Sequence, residues 1–187
     1  MSTPYPRNHA DKHALIPFDD GLLDAVAQAG RESTRKRHIV RFHELDELFQ
    51  RMLNAVEPSS YVRPHRHLDP GKTEVFVALR GRALIVRFDG EGAPLEGVVI
   101  SADGPTRGIE IPMGAWHALM PLETGTVLYE AKEGPYVATT DKDFAEWAPP
   151  ESDVEGGQAF MAKVRANFAD VIAAAGAKPN DRQGGGR

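Results

Sequence analysis

Short β-forming runs separated by frequent turns are the feature of this sequence that most restricts its fold. Between residues 60 and 132 the chain alternates runs of Val, Ile, Leu, Phe and Tyr with turn sequences that contain Gly, Pro and Asp. Many short strands at close spacing are typical of a β-sandwich or a barrel. The predicted strands are residues 60–63, 73–79, 83–88, 97–101, 108–111, 117–121 and 126–132.

The flanks of this β-rich region have a different pattern. Asp19 and Asp20 can cap a short helix over residues 21–29, which Gly30 would end. Apolar residues at helical spacing predict a C-terminal amphipathic helix over 158–175. Residues 44–56 also carry apolar side chains at helical spacing, so the pattern alone predicts a helix there.

Composition excludes several classes of protein. The 187 residues carry a net charge of −5, and a nucleic-acid-binding protein would usually need a basic surface. There is no cysteine, so disulfides, thiolate metal ligands and a cysteine nucleophile are absent. No apolar run is long enough to span a membrane, and the polar N-terminus lacks the apolar core of a secretory signal. We therefore expect a cytoplasmic protein with neither a nucleic acid nor a membrane as partner.

Three histidines and one glutamate predict a metal site. His65 and His67 alternate with Arg66, so on a strand they point to the same face. Glu74 lies on the next predicted strand, and His117 follows some 50 residues after the first pair, so only a folded barrel brings the four together. Imidazole and carboxylate ligands suit Fe, Mn, Ni, Co, Cu or Zn. The alternative is a vestigial site, in which hydrogen bonds alone satisfy the histidines.

Two motifs resemble those of the cupin superfamily. His65-x-His67 with Glu74 and Gly81 resembles the first cupin motif, and Pro112-x-Gly114-x-x-His117 resembles the second. Longer segments, residues 50–55, 61–67, 130–136 and 142–151, resemble the WbuC-like cupin-fold metalloproteins. This resemblance covers roughly residues 31–151 and implies one divalent transition metal. It also implies an early barrel strand at 49–57, and we prefer that strand to the helix that the pattern predicts.

The expected fold is all-β: a single cupin-type jelly-roll barrel with a short N-terminal helix and a C-terminal amphipathic helix. The expected order is a disordered tail at 1–14, an N-terminal extension with the short helix at 15–48, the barrel at 49–151, the C-terminal helix at 152–176 and a disordered tail at 177–187. We also expect a homodimer that covers an edge strand or the apolar surface of the C-terminal helix.

A second group of residues is predicted to contact a ligand or to move a proton. The candidate acids and bases are Lys132, Tyr136 and Glu130, and the candidate ligand-binding residues are Tyr61, Arg63, Trp116, Lys132 and Tyr136. Glu130 and Lys132 share one face of a predicted strand, so they could instead form a structural ion pair or lie on the solvent face. Arg66 should point away from the metal. His38 and His43 are interpreted as surface residues or as neighbours of the site.

Three functions remain open at this point. The first is binding of an oxygen-rich small molecule, a sugar or a sugar-derived metabolite of surface-polysaccharide metabolism, with isomerase- or epimerase-type chemistry. The polysaccharide association comes from the family resemblance alone. The second is an Fe(II)-dependent dioxygenase, and the third is a non-catalytic, metal-dependent ligand-binding or sensor module.

Overall fold

The computed structural model describes residues 15–138 and 141–176. The predicted tails at 1–14 and 177–187 lie outside the described residues. Within the described part, ten strands form two five-stranded sheets in which every neighbouring pair is antiparallel, and three helices pack outside them. None of the helices in this part of the chain is both long and apolar enough to cross a membrane.

The strands of the first sheet are β1 (Arg37–Arg41), β2 (Phe49–Val56), β4 (Glu74–Arg80), β7 (Gly108–Ile111) and β9 (Thr126–Glu133). Those of the second are β3 (His65–Arg66), β5 (Arg82–Phe88), β6 (Pro94–Ser101), β8 (Trp116–Pro121) and β10 (Asp143–Phe144). The first sheet has the order β1-β2-β9-β4-β7 and the second has the order β10-β3-β8-β5-β6. Non-consecutive neighbours within each sheet are the mark of a jelly roll.

An apolar core joins the two sheets. It contains Phe76 and Leu128 from the first sheet, and Ile85 and Leu119 from the second. Because one apolar cluster contains side chains from both sheets, the two sheets pack face to face, as the sheets of a jelly-roll barrel do. The predicted all-β jelly-roll barrel is confirmed.

The strand at the start of the barrel replaces the helix that periodicity predicted. β2 pairs with β1 on one side and with β9 on the other, so its backbone groups are satisfied by two neighbouring strands. Its last five residues are all buried. The helix that the apolar pattern predicted for 44–56 is therefore wrong, because pairing with two neighbouring strands overrides a short periodicity. The strand that the resemblance implied is confirmed.

Helices cover the outer face of each sheet. α1 (Asp20–Glu32) begins at Asp19, whose side chain accepts the N–H of Leu22, and its buried residues Leu23, Val26 and Ala27 pack on the first sheet. On the second sheet lie α2 (Val154–Asn167) and α3 (Ala169–Gly176). The predicted single C-terminal helix is therefore two helices, which separate at Phe168.

Four segments of strand differ from the sequence prediction. Residues 60–63 do not form a strand, because Pro64 offers no ladder donor and the Tyr61 carbonyl accepts a hydrogen bond from the Arg37 guanidinium instead. β1 lies inside the predicted N-terminal extension, and the two-residue strands β3 and β10 lie outside the predicted strand ranges. β1 and β10 are edge strands of their sheets.

Candidate metal centre

Four buried side chains meet inside the barrel. His65 lies on β3 directly opposite His117 on β8, Glu74 begins β4, and His67 follows β3. One ligand atom from each of these residues lies within 4.8 Å of the other three. The fold therefore brings together the four residues that the sequence predicted as metal ligands.

Backbone carbonyls orient all three imidazole rings in the same way. His65 Nδ1 lies 3.0 Å from the Arg63 carbonyl, and His117 Nδ1 lies 2.9 Å from the Ala115 carbonyl. His67 Nδ1 faces the Asp141 carbonyl. A carbonyl only accepts, so each Nδ1–H donates and each neutral ring keeps the lone pair on Nε2. This tautomer is the one that second-shell hydrogen bonds give to metal-binding histidines.

Glu74 faces two of these Nε2 atoms. Its Oε1 lies 2.8 Å from His67 Nε2, and its Oε2 lies 3.0 Å from His117 Nε2. When both rings are neutral with protonated Nδ1, each of these contacts opposes two lone pairs, which repel each other unless a cation lies between them. Among the described residues, Glu74 Oε2 and His117 Nε2 have no partner of hydrogen-bond geometry although both are buried. The donor set fits a divalent transition metal ion.

The ionisation states of the cluster suit a cation. Burial, followed by the positive charge of Lys142, holds the pKa of His65 well below its usual value, so this ring is neutral at pH 7. Burial alone would raise the pKa of Glu74. The charge of the Lys132 ammonium opposes this effect, however, and the pKa of Glu74 lies well below its ordinary value. The carboxylate is therefore ionised at neutral pH.

Lys132 is tied into a buried ion network rather than free to act on a ligand. Its Nζ lies 3.2 Å from Glu74 Oε1 and 3.3 Å from oxygens of both Glu130 and Asp141. Burial lowers the pKa of Lys132, but these three carboxylates raise it further than burial lowers it, so the side chain is a permanent cation. Glu130 also accepts a hydrogen bond of 2.7 Å from Asn54. Of the two alternatives considered for Glu130 and Lys132, the structure has the ion pair.

Asp141 and Lys72 extend this network and were not predicted. Lys72 Nζ lies 2.8 Å from Asp141 Oδ1 and donates to the Pro135 carbonyl at 2.9 Å. Burial raises the pKa of Asp141, but Lys132 and Lys72 overcome this and lower it. Asp141 thus uses its carbonyl on His67 and its carboxylate on two lysines. No sequence pattern marks either residue, since both lie outside the longer strands.

A third lysine, Lys142, was also missed. Asp143 pairs with Arg66 and Phe144 with His65, so β10 runs alongside the histidine strand. Asp143 binds Arg66 at 2.7 Å, while the Phe144 ring lies 6.0 Å from the His65 ring. Because neighbours on a strand alternate, Lys142 and Phe144 face the histidines and Asp143 faces away. The 142–151 motif contains Lys142, but a two-residue strand has no alternation of side chains from which its orientation could be predicted.

Tyr61 and Trp116 contact residues away from the four-residue cluster. The Tyr61 hydroxyl donates to the Pro149 carbonyl at 2.8 Å, and its ring packs in the apolar cluster under α2. Trp116 precedes His117 on β8 and therefore points to the opposite face, where Arg66 covers its ring at 4.3 Å. As expected, Arg66 points away from the cluster.

Arg63 and Tyr136 are likewise placed elsewhere. Arg63 Nε donates to the Ala145 carbonyl at 2.9 Å and so fastens the segment that carries β10. The Tyr136 side chain is 38% exposed, and the hydrogen bond that fixes this residue runs from its backbone N–H to the Leu45 carbonyl at 2.7 Å. Their predicted roles in ligand binding or proton transfer receive no support from these contacts.

Sequence comparisons place the chain near proteins without an assigned role. The family described as "Domain of unknown function (DUF6016)" matches residues 18–100, which is less than half of the chain. None of the curated proteins shows a significant match.

Solved structures resemble the barrel. CapF with the inhibitor 3-isopropenyl-tropolone has a TM-score of 0.52 at 19% identity, over 62% of this chain and 33% of that one. The fold is a cupin-type jelly roll. The capsular polysaccharide assembling protein CapF from Staphylococcus aureus has a TM-score of 0.49 at 20% identity, over 61% of this chain and 33% of that one. A double-stranded β-helix protein from Klebsiella pneumoniae subsp. pneumoniae has a TM-score of 0.47 at 15% identity, over 65% and 94%.

The present chain spans about a third of the length of the CapF structures, whose coverage is 33%. At identities below a quarter, similarity of this kind shows the shape of the barrel. Function has to be argued from the site itself.

Proposed function

We propose that His65, His67, Glu74 and His117 bind one divalent transition metal ion, and that the barrel uses it to hold an oxygen-rich small molecule. The observation that carries this proposal is the orientation of the rings. Three separate backbone carbonyls hold the three Nδ1–H groups, so three Nε2 lone pairs converge on one carboxylate. Histidines that served only as core residues would not need three matching tautomers.

Four protein ligands leave one or two positions of a five- or six-coordinate ion open to an oxygen atom of a ligand. An ion held by these four residues would act as a Lewis acid on a ligand oxygen bound at an open position. The residues of the chain supply the rest: the carbonyls of Arg63, Asp141 and Ala115 hold the rings, and Lys132 holds Glu74. Because Lys132 and Glu130 are paired to one another, we assign them to positioning and not to proton transfer.

The ligand class that we propose is a sugar or a sugar-derived metabolite, and the reaction class is isomerisation or epimerisation. Support for this class comes from the resemblance to WbuC-like proteins. Two residues of the motifs that carry this resemblance, Lys132 and Lys142, lie on the side of the proposed metal ligands. The WbuC-like assignment itself stays a prediction.

Metal content of the untagged protein tests the proposal. Elemental analysis should find about one equivalent per chain in the wild type after reconstitution, because the four ligands form one site. The double variant His65→Gln with His67→Gln should lose it. His38→Gln is the matched control, since His38 lies on β1 and outside the four-residue cluster. Stoichiometric metal in the double variant, or no metal in the reconstituted wild type, would overturn the proposal.

The metal-loaded protein then distinguishes the reaction classes. Metal-dependent isomerisation of a sugar without oxygen uptake supports the proposed class. Oxygen uptake by the Fe(II) form would indicate the dioxygenase instead. Thermal stabilisation by a ligand without turnover over long incubation would indicate the binding module.

A further inference from the structure

Lys142 has an unusual position beside the proposed metal centre. β10 pairs with β3, and this register turns Lys142 and Phe144 toward the side of the histidines. The outward contact of Asp143 with Arg66 at 2.7 Å fixes this register. The charge of Lys142 contributes to the lowered pKa of His65, and burial, followed by the charge of Lys132, lowers the pKa of Lys142 itself. The register therefore places Lys142 on the same face of the second sheet as the histidines.

Lys142 differs from the other two lysines of the site in having no partner among the described residues. Lys72 has two bonds, to Pro135 and Asp141, and Lys132 contacts three carboxylates. Among the residues that the structure describes, none lies within hydrogen-bond or ion-pair distance of the Lys142 ammonium, although the residue is half-buried. A partly buried ammonium that has no opposite charge in contact is stabilised by a ligand that supplies one.

The charge balance of the site points the same way. Within the described residues, three carboxyl side chains (Glu74, Glu130 and Asp141) and three lysines (Lys72, Lys132 and Lys142) balance one another when all six are ionised. A divalent metal ion adds two positive charges to this balanced set. The molecule that completes the metal's coordination should therefore be an anion, since a neutral one would leave the buried positive charge uncompensated.

We propose that Lys142 binds an anionic carboxylate oxygen of the ligand, and that the ligand class is a small 2-hydroxy or 2-keto acid whose second oxygen reaches the metal. This inference rests on the proposed metal site and narrows its ligand class to acids, including sugar acids. Phe144 packs beside His65 and is 40% exposed, so it offers an apolar wall for the short carbon skeleton.

Glycolate and ethylene glycol are the probes, because both carry two oxygens on two carbons and only glycolate is anionic. Each is titrated into Co²⁺-loaded protein by calorimetry, and the visible spectrum of the cobalt reports a change in its coordination. The wild type should bind glycolate at least about tenfold more tightly than ethylene glycol, as expected for one charge-assisted contact. Lys142→Met should remove about tenfold of glycolate affinity at unchanged cobalt content.

Two further variants sharpen the test. Lys142→Arg keeps the cation and should retain most of the glycolate affinity. Lys163→Met removes an exposed ammonium of α2 and should bind glycolate as the wild type does. Equal glycolate affinity in Lys142→Met and the wild type, or no glycolate binding by the cobalt-loaded wild type, would overturn the inference. Failure of the metal site itself is seen separately, as missing cobalt before any glycolate is added.

Discussion

Lys132 carries the largest share of charge compensation among single residues of the barrel. It is the cation closest to Glu74, and it also contacts Glu130 and Asp141 while its own side chain is only 6% exposed. Breaking a buried ion network by removing one partner usually costs about 3–5 kcal/mol, because the remaining charges stay buried without compensation.

We therefore expect Lys132→Met to destabilise the metal-free protein by about 3–5 kcal/mol. Urea unfolding with a chelator present measures the loss. Divalent metal should recover part of it, because the ion compensates Glu74 directly. Lys163→Met on the exposed surface of α2 is the control, and a loss in Lys132→Met no larger than in this control would contradict the expectation.

His43 makes stability depend on pH at a place distant in sequence from the metal ligands. The residue was interpreted as a surface group or a neighbour of the site, yet it is only 2% exposed, and its Nδ1 lies 2.9 Å from the backbone nitrogen of Arg51. Burial is the main cause that lowers the pKa of His43 below its ordinary 6.5. As the pH falls, His43 therefore binds a proton in the unfolded chain at a higher pH than in the folded protein.

The free energy of unfolding should fall as the pH drops below the ordinary histidine value of 6.5, down to the lowered pKa of the folded state. His43→Gln removes this contribution, so its stability should decrease less between about pH 7.5 and about pH 5.5 than that of the wild type. Denaturant unfolding in chelator at the two pH values measures the difference. An identical decrease in both proteins would show that His43 does not contribute.

At the scale of elements, the packing of the junction between α2 and α3 on the second sheet depends on Gly97. The ring of Phe168, where α2 ends and α3 follows, lies over Gly97 of β6, and a Cβ added at Gly97 would come within 2.5 Å of that ring. No backbone strain is involved, so the glycine is needed for space. This contact places the junction of α2 and α3 on β6.

Gly97→Ala should therefore destabilise the protein by about 1–3 kcal/mol through overpacking. Gly90→Ala is the matched control, because nothing lies within 4 Å of a Cβ at that position. Combining Gly97→Ala with Phe168→Ala should relieve the clash, so the double variant should be more stable than the sum of the two single losses predicts. Strict additivity in urea unfolding would argue against direct packing of the two residues.

At the scale of the whole molecule, the expected homodimer stays a prediction. The outermost strands are β1 and β7 in one sheet and β10 and β6 in the other, and α3 buries none of its residues. Light scattering should give twice the chain mass of 20.4 kDa. A monomeric mass at micromolar concentration would show that neither a sheet edge nor the C-terminal helices pair with a second copy.

Much of the barrel was readable because its strands are long enough to show a pattern. β4, β5 and β9 each contain seven or eight residues, and each of their predicted ends lies within one residue of the observed end. The sequence did not predict the two-residue β10 or the edge strand β1. A two-residue strand has no alternation of apolar and polar residues, and a half-buried edge strand has only a weak one. The helical pattern at 44–56 misled for the related reason that β2 is buried on both faces.

The sequence by itself determined the all-β class and the four residues that meet at the candidate metal centre. Alternation along a strand and the spacing of His65, His67, Glu74 and His117 are local properties, so they can be read without a structure. Only the tertiary structure decided which other residues join them. Lys142, Asp141 and Lys72 reach the site through pairing of distant segments, whereas Tyr61 and Trp116 turn to the opposite face. Such contacts depend on strand register and helix packing, which the sequence encodes only through the whole fold.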